Sequence, residues 1–97
     1  MSAYLIANVD VHDPVAYEAY RSRTGDIVAN HGGRFIVRGG AVHPLEGEPG
    51  VHRLVIIEFP SVAAAKGFYD SPEYQAIIPL RTVASTGSLL VVEGADA

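Results

Sequence analysis

The chain has no cysteine among its 97 residues, which excludes disulfide frameworks, thiolate metal sites and thiol nucleophiles together. No apolar run approaches the roughly 18 residues that a membrane-spanning helix needs, so no membrane partner is expected. The first ten residues, MSAYLIANVD, lack a basic start followed by a long apolar segment. No signal peptide is therefore expected, and a cytoplasmic location is. Positive charge is scarce too: 7 Lys and Arg stand against 11 Asp and Glu, for a net charge of −4. Nucleic-acid backbones are bound by Lys and Arg that displace counterions from phosphates. An acidic chain whose local pairs, Arg21/Arg23 and Arg34/Arg38, lack an interleaved stacking platform is not expected to bind nucleic acid.

What is present is the composition of one small globular domain, expected to span residues 1–97, with 48% hydrophobic residues. A chain this short buries a modest share of its surface, which points to a partner subunit before any motif is considered.

Ala3 to Val11 alternates as a strand, with Leu5, Ala7, Val9 and Val11 on one face and Tyr4, Ile6, Asn8 and Asp10 on the other. The second face is half polar. Asp13-Pro14 starts a helix, with a capping carboxylate followed by proline at the first helical position. Tyr17, Tyr20, Ile27, Val28 and His31 fall on one stripe of it, and Gly32-Gly33 ends it. Arg34 to Gly39 reads as a second strand, with Arg34, Ile36 and Arg38 on one face and Phe35 and Val37 on the other. Ala41 to Gly50, with two prolines and two glycines, reads as a loop long enough to suggest a role.

Arg53 to Phe59 is a nearly continuous apolar strand of the kind covered on both faces, interrupted by Glu58. Ser61 caps a helix from Val62 to Tyr69, and Ser71-Pro72 restarts it, with Pro79 expected to limit its extent. Thr86-Gly87 reads as a turn before a last strand, Ser88 to Glu93, and a short frayed tail. Strand, helix, strand, strand, helix, strand is the order of a ferredoxin-like α+β sandwich, an antiparallel sheet with helices on one face. The other sheet face also carries apolar residues, and self-association into a homodimer would cover it.

Five short motifs occur in order: His31-Gly32-Gly33-Arg34, Arg38-Gly39-Gly40, Leu45-Glu46-Gly47, Glu58-Phe59-Pro60-Ser61, and Tyr69 followed by Ser71-Pro72-Glu73-Tyr74. With these motifs the chain resembles the domain-of-unknown-function thirteen-thirty family of the dimeric α+β barrel superfamily, from Tyr4 to Gly94. Phe68 departs from the pattern, standing where many members have tryptophan. The resemblance implies a homodimer whose sheets pack face to face, and a small pocket between sheet and helices. The superfamily includes cofactor-free monooxygenases, lactone isomerases, haem-degrading enzymes and stress-responsive proteins, and the family has no assigned reaction.

The candidate site residues follow from their chemistry. His31 titrates near neutral pH and is a candidate general acid or base; alternatively it is a helix-terminal histidine bonded to a free carbonyl. Arg34 and Arg38 could hold a carboxylate in a bidentate fork, or pair with Glu58 or Asp10. Glu58, a carboxylate in an apolar strand, must be paired or have its pKa raised, and a raised carboxylate is a usable base. Glu46 could close over a site from the loop. Tyr69 and Tyr74 could orient a ring or an enolate, or belong to the core. Ser71 reads as a cap, since no nucleophile-elbow pattern surrounds it. His12, His31, His43 and His52 are scattered without metal-ligand spacing, and only His31 is placed to be a haem ligand. Neither metal nor cofactor is expected.

These residues support two expectations. One is a small organic ligand, such as a carboxylate, bound for cofactor-independent proton transfer, isomerisation or oxygenation. The other is a ligand-binding or stress-associated dimeric module without catalysis.

Overall fold

A computed structural model describes residues 1–95. The elements run β1 (Ala3–Val11), α1 (Pro14–Asn30), β2 (Arg34–Arg38), β3 (Arg53–Phe59), α2 (Val62–Asp70), α3 (Pro72–Thr82) and β4 (Ser85–Glu93). The four strands form one antiparallel sheet in the order β2-β3-β1-β4, with helices on one face, which is the ferredoxin-like α+β sandwich. Among the described residues no helix is long and apolar enough to cross a membrane.

The helix boundaries have local chemical causes. The Asp13 carboxylate accepts from the Ala16 amide at 3.0 Å, and Pro14 occupies the first position of α1, where a missing N–H costs nothing. Gly32 takes a left-handed φ of 78° just past the helix end, and the amides of Gly32 and Gly33 return to Ala29 and Val28. Ser71 adopts the extended conformation that a residue before proline requires, which separates α2 from α3. Its hydroxyl donates to the Phe68 carbonyl at 2.7 Å and accepts from the Tyr74 amide at 3.3 Å.

The core lies between sheet and helices. Tyr74, Phe59, Phe68, Val9 and Val28 are its largest fully buried side chains. Phe68 is the hub, with ring centroids 4.5 Å from Tyr74 and 5.4 Å from Phe59. Leu5, Ala7 and Val9 face this core from β1, as their alternation predicts.

Three expectations are corrected. Pro79 sits inside α3 instead of ending it; the helix runs on to Thr82 because Tyr74 and Ile77 are buried and Ile78 and Leu80 pack beside them. Packing outweighs the one backbone hydrogen bond that proline removes. Thr86-Gly87 is not a turn, because β4 begins at Ser85 and pairs Thr86 with Asp10 and Gly87 with Val9. Glycine is needed there, since a Cβ would collide with the Asn8 carbonyl oxygen and the Val9 Cα. As expected, the helices cover one face of β3, burying Val55, Ile57 and Phe59, while Leu54, Ile56 and Glu58 are half-buried on the other face, the one a second copy is expected to cover.

The third correction concerns Arg34 and Arg38. Arg34 pairs with Glu58, but the register slips at Ile36, so that Val37 pairs with Ile56 and Arg38 with Val55. This bulge turns Arg38 onto the helix-covered face while Arg34 stays on the open one. The expected loop is present between β2 and β3, where it is exposed. Asn8 pins its far end through Gly50 and His52. The expected tail begins with Gly94 bonded to the Ser2 carbonyl at 2.8 Å, and its residues 96 and 97 lie outside the described residues.

Candidate functional site

Four arginines line one cavity between the sheet and the helices: Arg21 from α1, which pairs with Glu18 at 2.8 Å, and three without an acidic partner, Arg38 from β2, Arg53 from β3 and Arg81 from α3. Each of these three lies against an aromatic face. The Arg38 guanidinium carbon is 4.0 Å from the centre of the Phe35 ring, that of Arg53 is 5.7 Å from Tyr17, and that of Arg81 is 5.9 Å from Tyr20. Arg38 also donates to the Arg21 carbonyl at 3.2 Å. The Nε atoms of Arg53 and Arg81 are buried and have no hydrogen-bond partner.

Among the described residues none of these three arginines forms an ion pair, and no carboxylate lines the cavity. Glu18 is the nearby acid, exposed on α1, and its hydrogen bond to Arg21 holds its pKa below the usual carboxylate value, with smaller contributions from Arg38 and Arg53. Buried guanidinium donors ordinarily find acceptors, and the Nε atoms of Arg53 and Arg81 have none here.

The cavity also holds a phenol pair. The hydroxyls of Tyr20 and Tyr74 are 2.7 Å apart, and Tyr74 is 1% exposed. Burial first, and then the neighbouring Tyr74 hydroxyl, pushes the Tyr20 phenol far above its ordinary pKa. Tyr20 is therefore neutral at physiological pH and can donate a hydrogen bond but not act as a base. The interior space is about 30 Å³, far too small for a ring.

The residues named from sequence fall in several places. Arg38 and Tyr74 share the arginine cavity. Arg34 and Glu58 lie on the open sheet face, where the Arg34 Nε donates to Glu58 at 2.7 Å and the Tyr4 hydroxyl donates to it at 3.2 Å. His31 caps the end of α1 with its Nε2 3.3 Å from Glu73, and its ring is edge-on to Phe68. Tyr69, 39% exposed, lines a separate cleft over β4. Glu46 is exposed in the loop before β3. His31 and Glu58, the two candidates for moving a proton, thus line neither the arginine cavity nor each other's surroundings.

Sequence reasoning missed Arg53 and Arg81 as site residues and gave Tyr17 and Tyr20 to the stripe of α1 alone. A signal for Arg81 was present: Tyr74, Ile77 and Arg81 stand at i, i+3 and i+7, one face of a helix. A cation at the end of an otherwise buried stripe has to face a cavity or a partner.

Solved structures share this fold across nearly the whole chain. The RPA0582 protein of unknown function from Rhodopseudomonas palustris superposes with a TM-score of 0.76 at 24% identity, covering 96% of this chain and 82% of that one. A variant of SnoaB, a cofactor-independent oxygenase from Streptomyces nogalater, gives a TM-score of 0.70 at 14% identity, covering 97% and 93%. HapK from Hahella chejuensis gives 0.64 at 13% identity, covering 98% and 94%. These likenesses establish the fold, that of the dimeric α+β barrel proteins. No curated protein matches the chain. A family model, Domain of unknown function (DUF1330), matches residues 2–95, and the chain belongs to that family.

Proposed function

We propose that the protein binds a small organic anion, with its acidic group in the cavity of Arg38, Arg53 and Arg81. The observation that carries this is the set of three arginines without an ion-pair partner, two of them with buried, unbonded Nε atoms, around one cavity. A carboxylate offers the paired acceptors that a guanidinium fork lacks here. The Tyr20–Tyr74 pair adds a neutral hydroxyl donor.

The functional unit in this proposal is a homodimer. Ile36, Leu90 and Val92 on the open part of the sheet are 44%, 51% and 44% exposed, and a second copy would remove them from water.

The experiment is a titration of the purified protein with acetate and benzoate, read as thermal stability. A ligand that binds only the folded state raises the melting temperature by mass action. Arg53→Gln relieves repulsion among the arginines, so without ligand this variant is expected to be at least as stable as the wild type. With carboxylate it gains less. A wild-type protein that carboxylates do not stabilise, or an Arg53→Gln variant that they stabilise equally, refutes the proposal.

A second reading, cofactor-independent oxygenation or proton transfer on an enolisable compound, is favoured by the fold shared with SnoaB and by the same charge. Guanidinium groups beside a bound acid favour its deprotonated form, which is the reactive form of an enolisable substrate. The residues proposed for proton transfer are His31 and Glu58, with Arg34, Glu46 and Tyr69 as further ligand contacts. Because His31 is held by Glu73 and Glu58 by Arg34 outside the cavity, binding without catalysis is the better supported function.

A further inference from the structure

The arginine cavity has a neighbour on the side of β4. A second, wider cleft of about 600 Å³ lies over the helix-facing side of β4, with α2 and α3 as its walls. Arg81, Leu5 and Leu89 line both spaces. The two differ in character. The inner cavity offers only about 30 Å³, whereas the outer cleft falls in the size range of pockets that hold whole small molecules. Its floor is apolar, made by Leu89 and Val91, and the Tyr69 ring stands at its wall. Lys66 and Asp70 sit at its edge, and among the described residues neither forms an ion pair. With Arg81 counted, the cleft carries two cations and one anion.

We infer that the occupant is an amphipathic monocarboxylate, its apolar body lying over Leu89 and Val91 and its carboxylate held by Arg81 at the junction with the inner cavity. This rests on the anion-binding reading above and adds the ligand class and the position of its body. The chemistry fits on both sides. Arg81 has a buried Nε without an acceptor and lines both spaces, so a carboxylate between them satisfies it without entering the core. The apolar floor gains from each methylene withdrawn from water, whereas a bare inorganic anion has nothing to place there. A second carboxylate on the body would lie over Leu89 and Val91, where it loses water without gaining a donor, which selects a monocarboxylate over a dicarboxylate. Tyr69 contributes a ring face against which a chain or aromatic body can lie.

The test compares acetate, hexanoate, octanoate and octanedioate by amide-proton and nitrogen NMR titration of the intact wild-type protein. Octanoate is expected to bind at least tenfold more tightly than acetate and octanedioate, with shifts at residues 66–70 and 87–91 in addition to those around Arg81. Tyr69→Ala, at a partly exposed position, is expected to weaken octanoate binding three- to tenfold and leave acetate unchanged. Equal affinity for acetate and octanoate, or octanoate binding that Tyr69→Ala does not alter, overturns the assignment of the cleft. If acetate still shifts the amides around Arg38 and Arg53 in that case, the anion cavity survives and only the cleft inference fails. Absence of binding by every carboxylate refutes both.

Discussion

The Tyr20–Tyr74 hydroxyl pair gives the most direct energetic test of the cavity. The two oxygens are 2.7 Å apart, and Tyr74 is 1% exposed, so neither removal is compensated freely by water. Tyr74→Phe deletes one hydroxyl and leaves Tyr20, itself largely desolvated, without that partner. Tyr20→Phe does the reverse and strands the deeper hydroxyl. Each single variant is expected to lose about 1–3 kcal/mol, the cost of an unsatisfied buried polar group. The double variant removes both groups together and should be less destabilised than the sum of the singles by about 1 kcal/mol. In a domain of this size 1 kcal/mol moves the melting temperature by about 4–8 °C, well within the resolution of calorimetry. Protein concentration must be held fixed in case the fold is linked to assembly. The pH dependence has a definite sign. The folded-state pKa of Tyr20 is raised above its ordinary value of 10.0, so the native state keeps a proton that the unfolded chain releases. The contribution is complete below pH 10.0 and declines above it as pH rises toward the folded value, so wild-type stability should fall more steeply there than that of Tyr20→Phe. Strict additivity of the two substitutions, or the same alkaline slope in wild type and Tyr20→Phe, would refute a coupled, desolvated phenol pair.

Four further outcomes follow from the packing. Gly25→Ala, in the middle of α1 with no atom within 4 Å of the added carbon, should stabilise the protein by about 0.5–1 kcal/mol in chemical denaturation. Gly33→Ala, where that carbon would come within 2.7 Å of the Phe59 ring and 2.9 Å of Val28, should destabilise it by about 1–3 kcal/mol; equal effects at the two glycines would contradict the packing. Gly39 holds a positive φ of 73° beneath the Arg53 guanidinium, so Gly39→Ala should displace that side chain and weaken carboxylate binding as well as stability, and a stability loss with unchanged binding would separate Arg53 from the site. Leu90→Asp, at a half-exposed position on the open sheet face, should convert the proposed dimer to monomer in sedimentation with its helical circular dichroism retained, and an unaltered sedimentation coefficient would remove that face from the interface.

What could be foreseen, and what could not, divides by the range of the interactions. Helix starts at Asp13-Pro14 and Ser71-Pro72 and the left-handed stop at Gly32 are set within a few residues, so the chain reads them out directly. Alternation in β1 likewise predicts its buried face. The misread positions are those where a distant element decides. Thr86-Gly87 has turn chemistry, but the close approach of β1 at Asn8 and Val9 makes Gly87 a strand residue. Pro79 would end an isolated helix, yet the apolar residues on either side of it are held by the core. Most consequential for function is Ile36. Simple alternation joins Arg34 and Arg38 into one anion clamp, whereas one bulged residue leaves Arg34 with Glu58 on the open face and puts Arg38, still exposed, on the helix side. A slip of one residue reverses the face of everything beyond it, and nothing in five residues of strand announces the slip. The arginine cavity therefore has no linear motif at all. It exists because a bulge in β2, the first residue of β3 and the last turn of α3 each deliver one cation to the same space, and only the tertiary fold brings those three positions together.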